Sequence, residues 1–361
     1  MGPILRAVAG LGLAAAIAGS TLGAAAFGVE SGRSADALAV RGAAGWETWW
    51  RRDAAPARWD GDGPLAGRVA WRRGAPGVEW GELQLRGASE AWRTRVALVR
   101  LDPRWVNLSL VTAFTRNESW TVADADSGAV LALDAGQFRR SLPWGWVVSR
   151  GSEVLAPEYA PLAGAVVVDA TGAVRVVAPD SVAAERERGI AREAFQSYPM
   201  LLQDGVVPAP LREPGQGVDL AHRDARLALG ILADGRVVVA LTRFDALGES
   251  LGRVPFGLTT PEMAAVMGAL GCRQALLLDG GISGQLMVRE ANGSARSWPG
   301  TRSVPLGLVG RPLTSLPPHL IRQLHEEAIV HPLQPGPVEL PVALQRAPVA
   351  QERDGTRRGL E

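Results

Sequence analysis

The sequence predicts an α+β fold, with mixed and antiparallel sheets and a few packed helices, in a single main domain over residues 66–311. Three observations predict it. Short apolar runs recur through this stretch, bounded by Gly, Pro, Asp or Asn, as expected of strands closed by turns. Helical patterns are few and do not alternate strictly with the strands, which argues against a doubly wound parallel sheet. The chain has 361 residues and 47% apolar content, enough for one sizeable core.

The elements follow in order. Between Arg6 and Glu30 there is no charge, and the stretch is rich in Ala, Gly, Leu and Val. Residues 1–29 therefore read as a signal peptide, with Ala24-Ala25-Ala26 as a small-residue cleavage site, or as a retained N-terminal membrane anchor. Either reading puts the folded part outside the cytoplasm, periplasmic or secreted. Residues 30–65 mix Gly, Ala, Asp, Pro and Arg and read as a linker, with Trp46, Trp49 and Trp50 either packing back onto the domain, the favoured reading, or sitting at a membrane interface. Strand patterns then run through 68–72, 80–86, 95–101 and 106–111, and a buried strand over 130–133 ends at Asp134. Val147–Ser149 is a further strand, and 165–169 and 174–177 form a hairpin across Asp169-Ala170-Thr171-Gly172. A charged amphipathic helix is expected over 183–195, a strand at 200–202, and a hairpin of 227–232 with 237–241.

Thr259 to Leu270 carries helix start and stop signals: Thr260 at the N-cap, Pro261 at the first position, Glu262 in the first turn and Gly271 past the end. The apolar run Ala275 to Leu278 follows and stops at Asp279-Gly280-Gly281. That pattern delivers a carboxylate to the end of a buried strand, beside glycines that let a ligand approach the backbone closely. Cys272 is the lone cysteine and reads as a buried small hydrophobe. Residues 312–361 form a Pro-rich C-terminal tail outside the catalytic unit.

Five segments occur in a telling order: Leu133-Asp134-Ala135-Gly136, Trp144 to Gly151, Arg226 to Ile231, Leu278-Asp279-Gly280-Gly281, and Arg302-Ser303-Val304-Pro305. The series resembles the phosphodiester glycosidase family over roughly residues 95–310. The resemblance implies hydrolysis of a sugar-1-phosphodiester or related glycosidic bond, with a carbohydrate or sugar-phosphate substrate and no cofactor. Two departures stand out. Asp134-Ala135-Gly136 replaces the family's usual Asn-Gly-Gly, and Ile282 and Gly284 interrupt the usual Asp-Gly-Gly-Gly-Ser-Ser/Thr.

Glycosidic cleavage commonly uses two carboxyl groups, and a phosphate calls for Arg donors. Asp279 and Asp134 are the candidate catalytic carboxylates, and His222 is the one histidine of four outside the tail. Arg226, Arg302, Gly136, Gly280, Gly281 and Ser283 are the candidate substrate-binding residues. No His or Cys cluster suggests a metal, and a formal charge of +1 gives no basis for nucleic-acid binding. The reading that competes with an envelope or exopolysaccharide hydrolase is a non-catalytic glycan-binding or scaffold protein that keeps the fold with an altered site.

Overall fold

A computed structural model describes residues 37–61, 63–245 and 256–313. The chain divides into two units, Met1–Thr314 and Ser315–Glu361. The N-terminal segment and the tail, on which the signal, anchor and Pro-rich readings rest, lie outside the described residues.

Sheet dominates the first unit. Its largest sheet has nine strands, in the spatial order Met200–Leu202, Cys272–Leu277, Leu227–Leu232, Val237–Phe244, Thr94–Leu101, Val78–Arg86, Ala37–Gly42 and Gly45–Arg51, with Arg72–Arg73 paired beside Val78–Arg86. One five-stranded sheet is centred on Ala191–Ser197, and another runs Ala295–Trp298, Leu286–Arg289, Leu131–Asp134, Leu306–Pro312 and Val106–Thr112. The strand pairings within these sheets are antiparallel, as in Leu227↔Leu241 and Gly307↔Asp134. Besides a two-stranded sheet of Phe138–Arg139 with Leu142–Pro143 and short 3-10 turns, the described residues hold two α-helices, Val182–Arg188 and Thr260–Ala269, so helix packing is a minor part of the α+β architecture.

Both faces of the large sheet are buried, and strand alternation explains how. Along Val237–Phe244, Val237, Val239 and Leu241 enter one apolar cluster and Val238 and Ala240 the other. The first cluster fills the space toward the two smaller sheets. The second is roofed by Thr260–Ala269, a helix buried on every side, as its nearly unbroken apolar sequence requires. Thr259, rather than Thr260, is its N-cap: the Thr259 hydroxyl accepts from Glu262 N, and the Glu262 carboxylate accepts from Thr259 N at 2.9 Å.

Two further expectations are corrected. Residues 30–65 are not simply a linker, because Ala37–Gly42 and Gly45–Arg51 extend the large sheet and bury Leu38, Val40 and Trp50. Trp50 is buried, Trp49 packs against Trp59 and Trp46 is exposed. The helix expected over 183–195 ends at Arg188, because Gly189 takes φ +63° and closes it; Ala191–Ser197 is a central strand. Cys272 is fully enclosed, and burial pushes its thiol pKa up.

Candidate active site

The site forms where three strand ends meet. Leu278 N donates to Leu227 O at 2.8 Å, so the turn after Cys272–Leu277 lies beside the start of Leu227–Leu232. From the third sheet, Leu131–Asp134 arrives at the same place: Asp279 N donates to Ala135 O at 3.2 Å. The structure thus brings Asp134 and Asp279 together, as the two apolar runs ending in Asp suggest.

Close backbone approach is built into these turns. A Cβ on Gly136 would lie 2.3 Å from Gln196 O, and one on Gly280 would lie 2.4 Å from Ala225 O. Gly281 takes φ +56°, so the left-handed residue of the turn is a glycine. Ile282 avoids that region, and it is exposed. Its carbonyl accepts from Thr301 N at 2.8 Å and Arg302 N at 3.1 Å, tying down the loop that carries Arg302. The departure at Ile282 therefore requires no left-handed branched residue.

The two carboxyl groups differ in access. Asp134 is 0% exposed. Its Oδ1 accepts from Gln285 N at 2.8 Å, and its Oδ2 is buried without a hydrogen-bond partner. Burial first, and the neighbouring Asp279 second, push its pKa well above the usual carboxylate range. Such surroundings favour the protonated form of the carboxyl.

Asp279 is mostly buried, and its pKa is pushed up to about 6. Burial is the main cause, and Asp224 adds to it; a hydrogen bond from Ser283 and the charge of Arg302 oppose it. Ser283 is buried, and its own N–H donates to Gly280 O at 3.0 Å. Arg302 is exposed and stacks on Phe138, 4.6 Å from the ring centroid, which holds its guanidinium near Asp279.

Sequence reasoning missed Asp224. Its side chain is 26% exposed, and its Oδ2 would lie 3.0 Å from a Cβ on Gly281. Burial raises its pKa, against the pull of Arg226 and His222. His222 Nε2 stands 3.7 Å from Asp224 Oδ2, with a side chain 61% exposed. Arg226 is half-buried and uses Nε on Leu258 O at 2.9 Å and Nη2 on His222 O at 2.7 Å. These bonds shape the loop and charge its interior, and they leave Arg302 as the more accessible basic group.

Three further polar residues build the site without facing it. Glu262 accepts from Arg223 Nη1 at 2.6 Å and Nη2 at 2.8 Å, anchoring the loop of His222 and Asp224 to the buried helix. Gln285 links Asp134 to Val122 N and Arg302 O. Arg243, also buried, donates to Gly284 O, Trp298 O and Pro299 O behind the turn. Nothing local in the sequence separates these from ordinary surface polar residues; the contacts are long-range.

Among the described residues no group of His, Cys, Asp or Glu could hold a metal ion, and no helix is long and apolar enough to cross a membrane. A groove of about 460 Å³ lined by residues such as Trp120, Asp124 and Arg311 contains none of the cluster. Its charges are engaged with one another, Arg311 with Asp126 and Arg116 with Glu118. The chemistry therefore points to the carboxyl cluster and not to this groove.

A sheet-dominated domain with partly exposed carboxyl groups of raised pKa at converging strand ends has the make-up of a hydrolase site. The sequence matches the phosphodiester glycosidase family over residues 127–310, more than half of its 361 residues, and the chain belongs to that family. Membership supports a hydrolase of that kind acting on a carbohydrate or phosphosugar. No curated protein matches the chain. Among solved structures, the chain is similar to the zebrafish N-acetylglucosamine-1-phosphodiester alpha-N-acetylglucosaminidase catalytic domain, auto-inhibited by its pro-peptide. That similarity has 15% identity and a TM-score of 0.49, covering 72% of this chain and 91% of that one. A hypothetical protein from Synechocystis is similar at 15% identity and a TM-score of 0.45, over 73% of this chain and 65% of that one.

Proposed function

We propose that the protein is an extracytoplasmic hydrolase that cleaves a sugar-1-phosphodiester or related glycosidic bond in an envelope or exopolysaccharide substrate. One observation carries this reading: Asp279 and Asp224 flank the Gly281 turn with raised pKa values, and Arg302 stands beside Asp279. Asp279, protonated below about pH 6, gives its proton to the leaving oxygen as the sugar–oxygen bond breaks; a water molecule adds to the sugar carbon in its place and gives up a proton to a site carboxylate, so free sugar and the protonated leaving group are the products. Asp224, acting as a carboxylate beside Arg226 and His222, faces the positive charge that develops on the sugar carbon. Arg302 holds the anionic leaving group. Asp134 acts as a positioning residue under Asp279, Ser283 orients the Asp279 carboxyl, and Gly136, Gly280 and Gly281 admit the substrate. The uncharged N-terminal segment supports export and, if uncleaved, attachment to a membrane.

The test is release of free sugar from a panel of sugar-1-phosphodiesters by the wild type beside Asp279→Asn. Turnover lost in a folded Asp279→Asn supports the assignment; equal turnover in both proteins overturns it. The exposed Ile282 on the turn favours a second reading, a glycan-binding protein without turnover. That reading predicts binding insensitive to Asp279→Asn and no product from either protein.

A further inference from the structure

One end of the large sheet carries more than the carboxyl cluster. Four adjacent strands finish there in register: Leu278 beside Leu227, Arg226 O accepting from Thr242 N at 2.8 Å, and Phe244 opposite Thr94. Reading across the strand ends gives Asp279, then Asp224 and Arg226, then Phe244, then Trp92. Neighbouring strands lie ~4.8 Å apart, so the far end of this row is about 10–15 Å from Asp279.

That far end is aromatic. Phe244 packs edge-on against Trp92 at 5.7 Å and against Phe256 at 5.4 Å. Trp92 is 43% exposed and Phe256 is 41% exposed, and neither belongs to a core cluster. The Arg93 guanidinium stands 5.5 Å from the Trp92 ring centroid. The platform is tied to the site through its backbone. Leu258, two residues after Phe256, gives its carbonyl to Asp224 N at 3.2 Å and to Arg226 Nε at 2.9 Å. Thr242, two residues before Phe244, accepts from Arg226 N at 2.6 Å.

We propose that Trp92, Phe244 and Phe256 form a glycan subsite that holds sugar rings a few residues away from the bond cleaved at Asp279. The chemistry fits a carbohydrate chain: ring faces and edges meet the apolar C–H face of a pyranose, and Arg93 meets its hydroxyl or carboxylate groups. A folded protein partner fits poorly. Each ring offers at most ~250 Å², more than half already covered, far below the ~800 Å² per partner of a stable protein interface. The proposal rests on the hydrolase reading for the occupant's class, and it specifies a chain rather than a single sugar phosphodiester.

The test is isothermal titration of the full-length protein with chitotetraose, maltotetraose and tetragalacturonate, each beside its monosaccharide. The expected result is that at least one tetrasaccharide binds ten-fold or more tightly than its monosaccharide. Trp92→Ala and Phe256→Ala remove that advantage with thermal unfolding unchanged, while Trp92→Phe retains most of it. The subsite is overturned if no tetrasaccharide in the panel outbinds its monosaccharide, or if the advantage survives Trp92→Ala. The two readings fail separately: hydrolysis without a length advantage removes the subsite alone, and length-dependent binding without hydrolysis removes only the catalytic reading.

Discussion

Replacing Asp279 with Asn separates a catalytic carboxyl from a structural turn residue, because the two roles predict opposite changes in stability. Burial raises the Asp279 pKa from the ordinary 3.8 to about 6. A carboxyl with a raised folded-state pKa favours folding most when it is protonated. That contribution is present in full below pH 3.8, fades as the pH rises, and is gone above about 6. At 1.36 kcal/mol per pH unit the ionised group costs the folded state up to about 3 kcal/mol at pH 8, and its partial exposure brings this nearer 2 kcal/mol. Asn removes the cost. Asp279→Asn should therefore raise the melting temperature at pH 8 by roughly 4–8 °C, at about 2–4 °C per kcal/mol. At pH 4 the two proteins should melt together. Thermal unfolding followed by circular dichroism from pH 4 to 8 reads this directly. A variant that is less stable at pH 8, or whose difference from wild type does not change with pH, would refute the reasoning and make Asp279 a turn former.

Three other outcomes follow from the same geometry. Asp134→Asn removes a buried carboxyl of raised pKa and keeps an acceptor for Gln285 N, so turnover should stay within about three-fold and stability at pH 8 should rise; Asp134→Leu should lose both, because Gln285 N is left unpaired. Arg223→Gln breaks the bidentate pair with the buried Glu262 and should cost about 3–5 kcal/mol in urea unfolding. Arg302→Gln removes a charge that lowers the Asp279 pKa, so the ionisation of Asp279, followed by NMR, should move upward from about 6.

Much of this was legible in the sequence, for physical reasons. Apolar runs stopped by Asp-Gly or Asp-Ala-Gly marked Asp134 and Asp279 because burial and turn chemistry are both local signals. Two features were visible and outweighed: Gly189, which ends the helix at Arg188, and the alternation of Leu38 and Val40 with less buried neighbours, which makes a strand of the expected linker. The division of labour between the carboxyl groups was not legible. Asp134 is enclosed by a sheet that its own segment does not specify, and Asp224 reaches Gly281 only because the Leu227–Leu232 and Cys272–Leu277 strands pair. Burial biases the Asp134 carboxyl toward its uncharged form, which the sequence pattern by itself does not show.

The central claim is that Asp279 donates the proton that cleaves the bond. The pH dependence of kcat/KM on a sugar-1-phosphodiester tests it most directly. The account predicts that kcat/KM falls through a single ionisation at about pH 6 and that Asp279→Asn has no turnover at any pH. A rate that is level from pH 5 to 8, or an Asp279→Asn variant that turns over like the wild type, would contradict it.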